Sequence, residues 1–246
     1  MSQPAALSAR GVRKRFRDVL ALDRVSLDVA RGECVALIGE SGSGKTTLLR
    51  CFNRLSDPDE GEVRVDGEDV AVLDPVALRR RIGYVPQEGG LLPHWRVRRN
   101  VTLVPWLRGA EDAGERAERA LSLVGLEPAG IGDRWPRELS GGQRQRVAVA
   151  RALAAGADII LLDEPFGALD AITRADLQAT FQRLRAELGL TSLLVTHDIH
   201  EALLLADRIA VLREGRLEQL AAAAELRERP ATPYVRRLLE RARVVA

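Results

Sequence analysis

A glycine-rich turn near the start of the chain constrains the fold more than any other feature. Residues 39–46 match the pattern G-x-x-x-x-G-K-S/T in full, and they lie between a continuously apolar run, Cys34–Ile38, and a segment with helical spacing, Thr46–Leu55. Glycines let consecutive backbone N–H groups curl around phosphate oxygens, and a helix N-terminus adds the positive end of its dipole. The pattern predicts a phosphate-binding loop. A glycine-rich hairpin is the alternative, and the flanking strand and helix argue against it.

Two side chains of this loop would act on a bound nucleotide. We expect Lys45 to reach the β- and γ-phosphates and the hydroxyl of Thr46 to ligate Mg²⁺. Only two of the 37 basic residues are lysines, Lys14 and Lys45. A lysine retained where arginine is the rule suggests that the loop needs a compact point charge.

A second apolar run, Ile159–Leu162, ends in two adjacent carboxylates, Asp163 and Glu164. A strand that runs into a polar turn would give the same pattern. With a phosphate loop upstream, however, the nucleotide site needs an acidic partner at the end of a neighbouring strand. We therefore predict that Asp163 lies on the Mg²⁺ side of the site and that Glu164 is the base that polarises the attacking water.

The segment Leu139–Gln143 opens a predicted helix that runs to Ala154. Ser140 with Gln143 three residues later is also the pattern of a capping box. A cap alone does not need two glycines in the first turn, where each lowers helix stability. A serine hydroxyl beside bare N–H groups at a helix N-terminus predicts a second phosphate clamp. Because the two clamps are roughly 100 residues apart, we expect the second to serve a nucleotide held by another copy of the chain.

Composition excludes several classes of protein. With 37 basic and 35 acidic residues the chain carries a formal charge of +2, too little for a protein that coats nucleic acid. Its 46% hydrophobic and 29% charged residues are typical of a globular protein. No apolar run approaches the ~20 residues of a membrane span, and the first ten residues lack the apolar stretch of a secretory signal. We expect Cys34 and Cys51 to be buried thiols in a reducing compartment rather than a disulfide or a zinc site.

The order of the segments predicts the fold class. Strands with tight turns over the first 70 residues, and a strand–helix alternation that resumes at Ile159, indicate an α/β fold with an N-terminal antiparallel β portion, a mainly parallel sheet and an inserted α-helical subdomain. The core would comprise residues 7–86 and 157–220, the helical insert residues 87–156 and a C-terminal helical tail residues 221–246. We expect residues 87–109 to be rich in loops. The predicted strands are Val25–Val29, Cys34–Ile38, Glu62–Asp66, Ile82–Val85, Ile159–Asp163, Ser192–Thr196 and Arg208–Leu212, and the predicted helices are Thr46–Leu55, Glu115–Val124, Gly141–Ala154, Thr173–Leu188 and His200–Ala206.

The three motifs, in this order and spacing, resemble the ATP-binding subunit of an ABC transporter, and the likeness covers roughly residues 7–220. The resemblance implies a P-loop NTPase core, ATP and Mg²⁺ as ligands, and ATP hydrolysis as the reaction. It also implies roles for positions that the residues alone do not single out. Gln87 would sense Mg²⁺ and the γ-phosphate, His197 would contact the γ-phosphate, and Phe16 would stack on adenine.

The implied site residues form several groups. Those that bind ATP are Phe16, Gly39, Glu40, Ser41, Gly42, Ser43, Gly44, Lys45, Thr46 and Thr47. The catalytic residues are Gln87, Glu164 and His197, and Mg²⁺ would be held by Thr46, Gln87 and Asp163, partly through water. The signature residues, which would contact the ATP of the partner copy, are Ser140, Gly141, Gly142 and Gln143, and Asp170 would lie in a loop that communicates across the dimer. Two alternatives stay open: Phe16 as a core residue, and His197 with His200 as metal ligands at i and i+3, for which no third ligand is evident.

The same resemblance implies partners and a location. Two copies, or this chain with a related one, would close on ATP as a dimer or pseudo-dimer, and the helical inserts would grip transmembrane permease subunits. A solute-binding protein outside the membrane would be an indirect partner, and no nucleic acid is expected. The chain would lie in the cytoplasm, on the inner face of the cell membrane.

Local sequences suggest the transported solute. Leu91–His94, Asn100–Pro105 and Asp170–Arg174 resemble importers of glycine betaine, choline and related quaternary amines. Ala171, where proline is usual, and Ala221–Ala224, where Gly-Thr-Pro is more common, depart from that group. An amino-acid importer, an exporter, a soluble ABC ATPase without a transport role and a small-molecule kinase are the alternatives. Some osmoprotectant ATPases carry a C-terminal regulatory domain; we expect none here, so that any response to ionic strength would lie in a partner.

Overall fold

The structure is a computed structural model, and it describes residues 5–242. Its strands are β1 Leu7–Phe16, β2 Val19–Val29, β3 Cys34–Ile38, β4 Glu60–Val65, β5 Glu68–Asp69, β6 Ile82–Val85, β7 Ile159–Asp163, β8 Thr191–Val195, β9 Arg208–Arg213 and β10 Arg216–Ala222. Its helices are α1 Lys45–Phe52, α2 Pro75–Arg81, α3 Val97–Leu107, α4 Ala113–Leu123, α5 Pro128–Ile131, α6 Gly141–Ala154, α7 Ala171–Leu188, α8 Ile199–Leu205, α9 Ala223–Glu228 and α10 Pro233–Arg241. Among these described residues, none of the helices combines the length and the apolar character that a bilayer span needs.

The described residues form two compact units. One comprises the residues up to Leu78 together with those from Thr191 onward, and the other is Arg79–Leu190. Each unit comprises residues whose backbone contacts lie mostly with other residues of the same unit. The proposed core, insert and tail boundaries, at residues 86/87, 156/157 and 220/221, stay predictions.

The first unit begins with an antiparallel sheet of strand order β2-β1-β4-β5. Leu7 and Ala9 are buried at alternate positions of β1, as a strand covered on one face requires. Val12 is buried three residues further on, beyond a shift in the register of β1 with β2 between Ala9 and Val12. Leu7 pairs with Val29 on one side and with Val65 on the other. The antiparallel N-terminal portion that the sequence predicts is confirmed.

The same unit contains the strand that leads into the phosphate loop. β3 is buried along its whole length and pairs in parallel with β8 and β9, whereas β9 and β10 form an antiparallel hairpin. A strand that has neighbours on both edges and cover on both faces is continuously apolar, which is why the sequence predicts β3 correctly. Its carboxyl end leads through residues 39–44 to the start of α1.

The second unit is built on the parallel pair β6 and β7, in which Ile82 pairs with Ile159 and Val85 with Leu162. α3 and α4 pack on α6. α6 approaches β6 so closely that a Cβ on Gly83 would lie 3.1 Å from the Cβ of Ala152. Because the carboxyl ends of parallel strands lie at the same edge of a sheet, the residues that follow β6 lie beside those that follow β7.

The predicted loop-rich stretch, residues 87–109, is wrong in its second half, where α3 forms. Proline favours a loop, but Val97, Val101 and Pro105 are buried along one face of this helix. The buried side chain of Asn100 also bonds to the backbone of the preceding loop. Burial of this face outweighs the helix-breaking cost of Pro105, which lies in the last turn.

Further elements differ from prediction: α2 and α5 are absent from the predicted helices, and α1 ends at Phe52 rather than at Leu55. β10 is absent from the predicted strands, since its side chains are mostly half-buried and carry no clear apolar pattern. α7 begins at Ala171, two residues earlier than predicted, because the carboxylate of Asp170 caps it by accepting a hydrogen bond from the N–H of Thr173.

Both cysteines are free and buried, as predicted. Burial raises the pKa of the Cys51 thiol to about 12, because a thiolate there would lose its water. At pH 8 the thiolate fraction of Cys51 is then on the order of 10⁻⁴. We expect almost no reaction of the folded chain with a thiol-specific disulfide reagent at pH 8, and reaction of both thiols after unfolding in guanidinium. Rapid labelling without denaturant would contradict this burial.

Candidate functional site

The phosphate loop encloses its own lysine. The ammonium of Lys45 donates to the carbonyl oxygens of Gly39 at 2.8 Å and Glu40 at 2.9 Å, and to the hydroxyl of Ser43 at 3.4 Å. Only 6% of Lys45 is exposed. A bound phosphate oxygen carries a full charge and would be a stronger acceptor for this ammonium than the neutral carbonyls are.

Gly44 determines how the loop enters α1. Its φ of 100° lies in the region that favours glycine, and a Cβ there would lie 2.4 Å from the carbonyl oxygen of Ala21. Gly44 is the N-cap of α1, and the first turn of this helix contains no acidic residue. Since the N–H groups of a first turn have no acceptor within the helix, this end of α1 suits an anion.

The ends of β6 and β7 bring two predicted catalytic residues into contact. The amide of Gln87 donates to Oε2 of Glu164 at 3.2 Å. Glu164 has a φ of 49°, in the left-handed region. A side-chain-bearing residue held there costs about 1 kcal/mol or more, and such positions cluster at functional sites.

Asp163, the last residue of β7, is buried, with 3% of its surface exposed. The hydroxyl of Tyr84 on β6 donates to its Oδ2 at 3.5 Å. A buried carboxylate needs donors, so Tyr84 belongs to this site although it is not among the residues predicted from the sequence. The only signal in the sequence is a tyrosine in an otherwise apolar strand, and the contact depends on the register that pairs Tyr84 with Leu161.

Ser140 forms the capping box that the sequence also allows. Its hydroxyl accepts a hydrogen bond from the N–H of Gln143 at 3.2 Å, and the side chain of Gln143 accepts one from the N–H of Ser140 at 3.0 Å. Ser140 and Gly141 are exposed, and the first turn of α6 has no acidic residue. The cap does not conflict with a phosphate clamp at the same helix end, and contact with a partner's ATP stays a prediction.

The two glycines of α6 differ in their surroundings. A Cβ on Gly142 would lie 2.3 Å from Cγ2 of Thr173 on α7, whereas the nearest neighbour of a Cβ on Gly141 would be Nη2 of Arg144 at 4.0 Å. Gly142 therefore permits close packing of α6 against α7. This reason for a glycine is one that the sequence does not reveal.

We expect Gly142→Ala to lower the free energy of unfolding by about 1–3 kcal/mol, the usual cost of overpacking. Gly141→Ala, the matched control, should leave it unchanged or raise it by up to ~1 kcal/mol, because alanine is the better helix former. Urea denaturation measures both. Thr173→Ser removes the obstructing methyl and should restore most of the stability in the Gly142→Ala background. Equal effects of the two glycine substitutions on stability would contradict the close packing of Gly142 against Thr173.

The remaining predicted residues lie at the ends of other elements. Phe16 ends β1 with 49% of its surface exposed, so it is not a core residue, and the ammonium of Lys14 lies 5.3 Å from its ring centroid. His197 follows β8 and is exposed. Asp170 is exposed, and the N–H and hydroxyl of Thr173 hold the pKa of its carboxyl below the ordinary value.

The predicted residues divide between the two units. The first unit contains Phe16, residues 39–47 and His197, and the second contains Gln87, residues 140–143, Asp163, Glu164 and Asp170. Over residues 5–242, no group of three His, Cys, Asp or Glu side chains could hold a metal ion by itself. The metal-ligand alternative for His197 and His200 therefore gains no support.

Comparison with known proteins identifies the family. The family described as ABC transporter matches residues 22–167. The glycine betaine/carnitine/choline transport ATP-binding protein OpuCA of Bacillus subtilis is 46% identical over 227 residues, which are 92% of this chain and 60% of that protein. The sulfate/thiosulfate import ATP-binding protein CysA of Synechocystis is 47% identical over 226 residues, 91% of this chain and 62% of that protein. The chain thus spans about three fifths of the length of these relatives.

A solved protein shares the fold. The dimeric structure of the bacterial ABC transporter cassette MJ0796 matches with a TM-score of 0.80 at 37% identity, over 88% of this chain and 98% of that one. The same cassette in a post-hydrolysis state with ADP and Pi matches with a TM-score of 0.79 at 36% identity. The P-loop NTPase core and the resemblance predicted from the sequence are confirmed, and this chain belongs to the ABC transporter family, as one of its ATPase cassettes.

Proposed function

We propose that this cassette hydrolyses ATP to power the import of quaternary-amine osmoprotectants of the glycine betaine, choline or carnitine type. The similarity to the B. subtilis glycine betaine/carnitine/choline protein over 92% of the chain is the observation that carries this substrate class. The segments Leu91–His94 and Asn100–Pro105 support it, because they resemble the same importers.

ATP would bind with its β- and γ-phosphates in the phosphate loop and its adenine against Phe16. The loop supplies backbone donors at the start of α1 and the enclosed ammonium of Lys45. Half of the Phe16 surface is available for stacking. These features support a triphosphate nucleotide rather than a single phosphate group.

Mg²⁺ would be held by Thr46, Asp163 and Gln87, partly through water. Their hydroxyl, carboxylate and amide oxygens are the hard donors that Mg²⁺ takes in proteins. Asp163 supplies a buried carboxylate at the end of β7, as such a site needs. When bound, the ion neutralises charge on the phosphate oxygens.

Glu164 would accept a proton from the water that attacks the γ-phosphate. The amide of Gln87 holds this carboxylate through Oε2, so the turn after β6 determines how the base is oriented. His197, exposed at the end of β8, would contact the γ-phosphate. The different environments of Asp163, which is buried, and Glu164, whose φ is in the left-handed region, support separate roles for the two carboxylates.

ATP would join two cassettes, because the γ-phosphate on one phosphate loop would also contact residues 140–143 of the other copy. The dimeric form of MJ0796 supports such a pairing. A ligand shifts an equilibrium only by the difference in its affinity for the two states, and ADP lacks the phosphate that both clamps would share. The loop that contains Asp170 would lie at this interface.

The cassette would act on the cytoplasmic face of the membrane. Transmembrane permease subunits would receive the closing motion, and an extracytoplasmic solute-binding protein would deliver the solute. An amino-acid importer, an exporter and a soluble ABC ATPase without a transport role are the alternatives that the sequence leaves. Capture of a permease by the tagged chain would exclude the ATPase without a transport role, and capture of a solute-binding protein with that permease would exclude the exporter.

Sulfate or thiosulfate import is a further candidate, because CysA of Synechocystis is as similar to the chain, at 47% identity. The solute does not contact the ATPase, so the solute-binding protein decides between the candidates. Affinity capture with the tagged chain, followed by calorimetry of the captured solute-binding protein with glycine betaine, choline, carnitine, sulfate and amino acids, is the test. Binding of a quaternary amine supports the proposal, and binding of sulfate or an amino acid alone would overturn it.

A further inference from the structure

Arg151, near the end of α6, makes an unusual pair of contacts. Its guanidinium donates to two consecutive carbonyl oxygens, that of Gly89 at 2.9 Å and that of Gly90 at 2.7 Å. Within residues 5–242 no carboxylate forms an ion pair with it, and burial lowers its pKa. A cation that loses water without a counter-charge is costly, so its two hydrogen bonds must offset that cost.

The two carbonyls belong to the turn that presents Gln87. The N–H of Gly89 donates to the carbonyl oxygen of Pro86 at 2.8 Å, so residues 86–89 form a closed turn after β6. Gln87 lies within this turn and donates to Glu164. The turn is therefore held at one end by β6 and at the other by the guanidinium of Arg151.

The two glycines suit the conformation of this turn, because their φ angles, 74° at Gly89 and 57° at Gly90, lie in the region that favours glycine. A Cβ on Gly89 would be in ordinary contact, 3.5 Å, with the Cβ of Ala148, and one on Gly90 would lie 2.6 Å from Cγ of Pro86. The planar fork of a guanidinium can bond two neighbouring carbonyls at once, which a lysine ammonium cannot reproduce in one fixed geometry. The backbone of the two glycines and the guanidinium of Arg151 thus both favour a turn that keeps one conformation.

We propose that Arg151 is a positioning residue for ATP hydrolysis, which holds the turn at residues 86–90 so that the Gln87 amide meets Glu164. This rests on the proposed function, since it assumes that Glu164 acts as the base. Arg151 contacts neither nucleotide nor water in this role and acts only through Gln87.

A double-mutant cycle on the full chain tests the proposal. ATP hydrolysis is measured at saturating Mg²⁺ for the wild type, Arg151→Lys, Gln87→Ala and the double variant. We expect Arg151→Lys to lower kcat about fivefold, which is roughly 1 kcal/mol at 1.36 kcal/mol per factor of ten, with the KM for ATP little changed. In the Gln87→Ala background the same substitution should change kcat by less than about twofold, because the residue through which it acts is gone.

Two controls separate positioning from general stability. Arg108→Lys alters another arginine that donates to a backbone carbonyl, that of Ala155 at the end of α6, and should leave kcat unchanged. Arg151→Gln, measured in the same cycle, covers the case in which the lysine variant folds poorly. Equal factors in both backgrounds would overturn the positioning role while leaving the proposed function intact. A wild-type chain that hydrolyses no ATP, with or without its permease, would instead remove the proposed function and this inference with it.

Discussion

Glu164→Gln is expected to lower the rate of ATP hydrolysis about a thousandfold while ATP binding stays unchanged. A positioned general base contributes typically 10²- to 10⁴-fold, and an amide cannot accept the proton of the attacking water. The hydrogen bonds that Lys45 donates to the carbonyls of Gly39 and Glu40 do not involve the substituted side chain. A single-turnover assay, with calorimetry for ATP affinity, measures the two effects separately.

The structure predicts that this variant folds normally. Glutamine has the same length as glutamate, tolerates the φ of 49° as well, and still offers an amide oxygen to the donor of Gln87. Glu88→Gln is the matched control, because it makes the same chemical change at an exposed position one residue from Gln87. Hydrolysis by the control should equal that of the wild type.

The same variant tests whether ATP joins two copies. With the base removed and both phosphate clamps intact, ATP should accumulate between cassettes, and light scattering should report a stable dimer at saturating ATP and Mg²⁺. ADP should not produce it, because it lacks the γ-phosphate. A variant that stays monomeric with bound ATP would show that residues 140–143 do not clamp a partner's nucleotide in this protein.

The sequence best predicts the helices and strands that are determined by local sequence patterns. β3, β6, β7 and α6 have the bounds that their patterns indicate, because a strand buried on both faces is continuously apolar and because a serine cap marks the start of α6. α3 escapes prediction because proline is a strong local signal, and only the burial of Val97 and Val101 overrides it. Tertiary packing thus decides the elements whose local signals disagree.

Contacts within the site depend on features that no local pattern shows. Gln87 and Glu164 are distant in sequence, and their contact requires the register of β6 with β7. Tyr84 reaches Asp163 through the same register. Gly142 shows that a sequence-based explanation can also be incomplete. The sequence explains this glycine by its bare N–H group, whereas the structure adds a second reason, the close approach of Thr173.

Lys45→Ala should weaken the binding of nucleotide, whereas Glu164→Gln should slow its hydrolysis. A hydrogen bond to a charged group contributes about 1.5–3 kcal/mol, so loss of this ammonium is expected to raise the Kd for ATP about a hundredfold. The alanine variant also leaves the carbonyls of Gly39 and Glu40 without this donor, which should cost about 1 kcal/mol of stability in the absence of nucleotide. Calorimetry gives the affinity, and thermal unfolding without ATP gives the second quantity.

The size of the Lys45 effect distinguishes a specific contact from charge alone. Lys45→Arg keeps the charge, but a guanidinium does not fit where only 6% of the residue is exposed, so we expect it to weaken ATP binding nearly as much as alanine does. ATP at about a hundred times the wild-type Kd should stabilise the wild type by about 2.7 kcal/mol and either variant by much less. If the arginine variant bound ATP as tightly as the wild type does, ATP affinity would depend on the positive charge at this position and not on the size and geometry of the lysine side chain. If the alanine variant did so, the triphosphate would not lie in this loop, and the roles of Glu164 and Gln87 would have to be assigned to a different ligand.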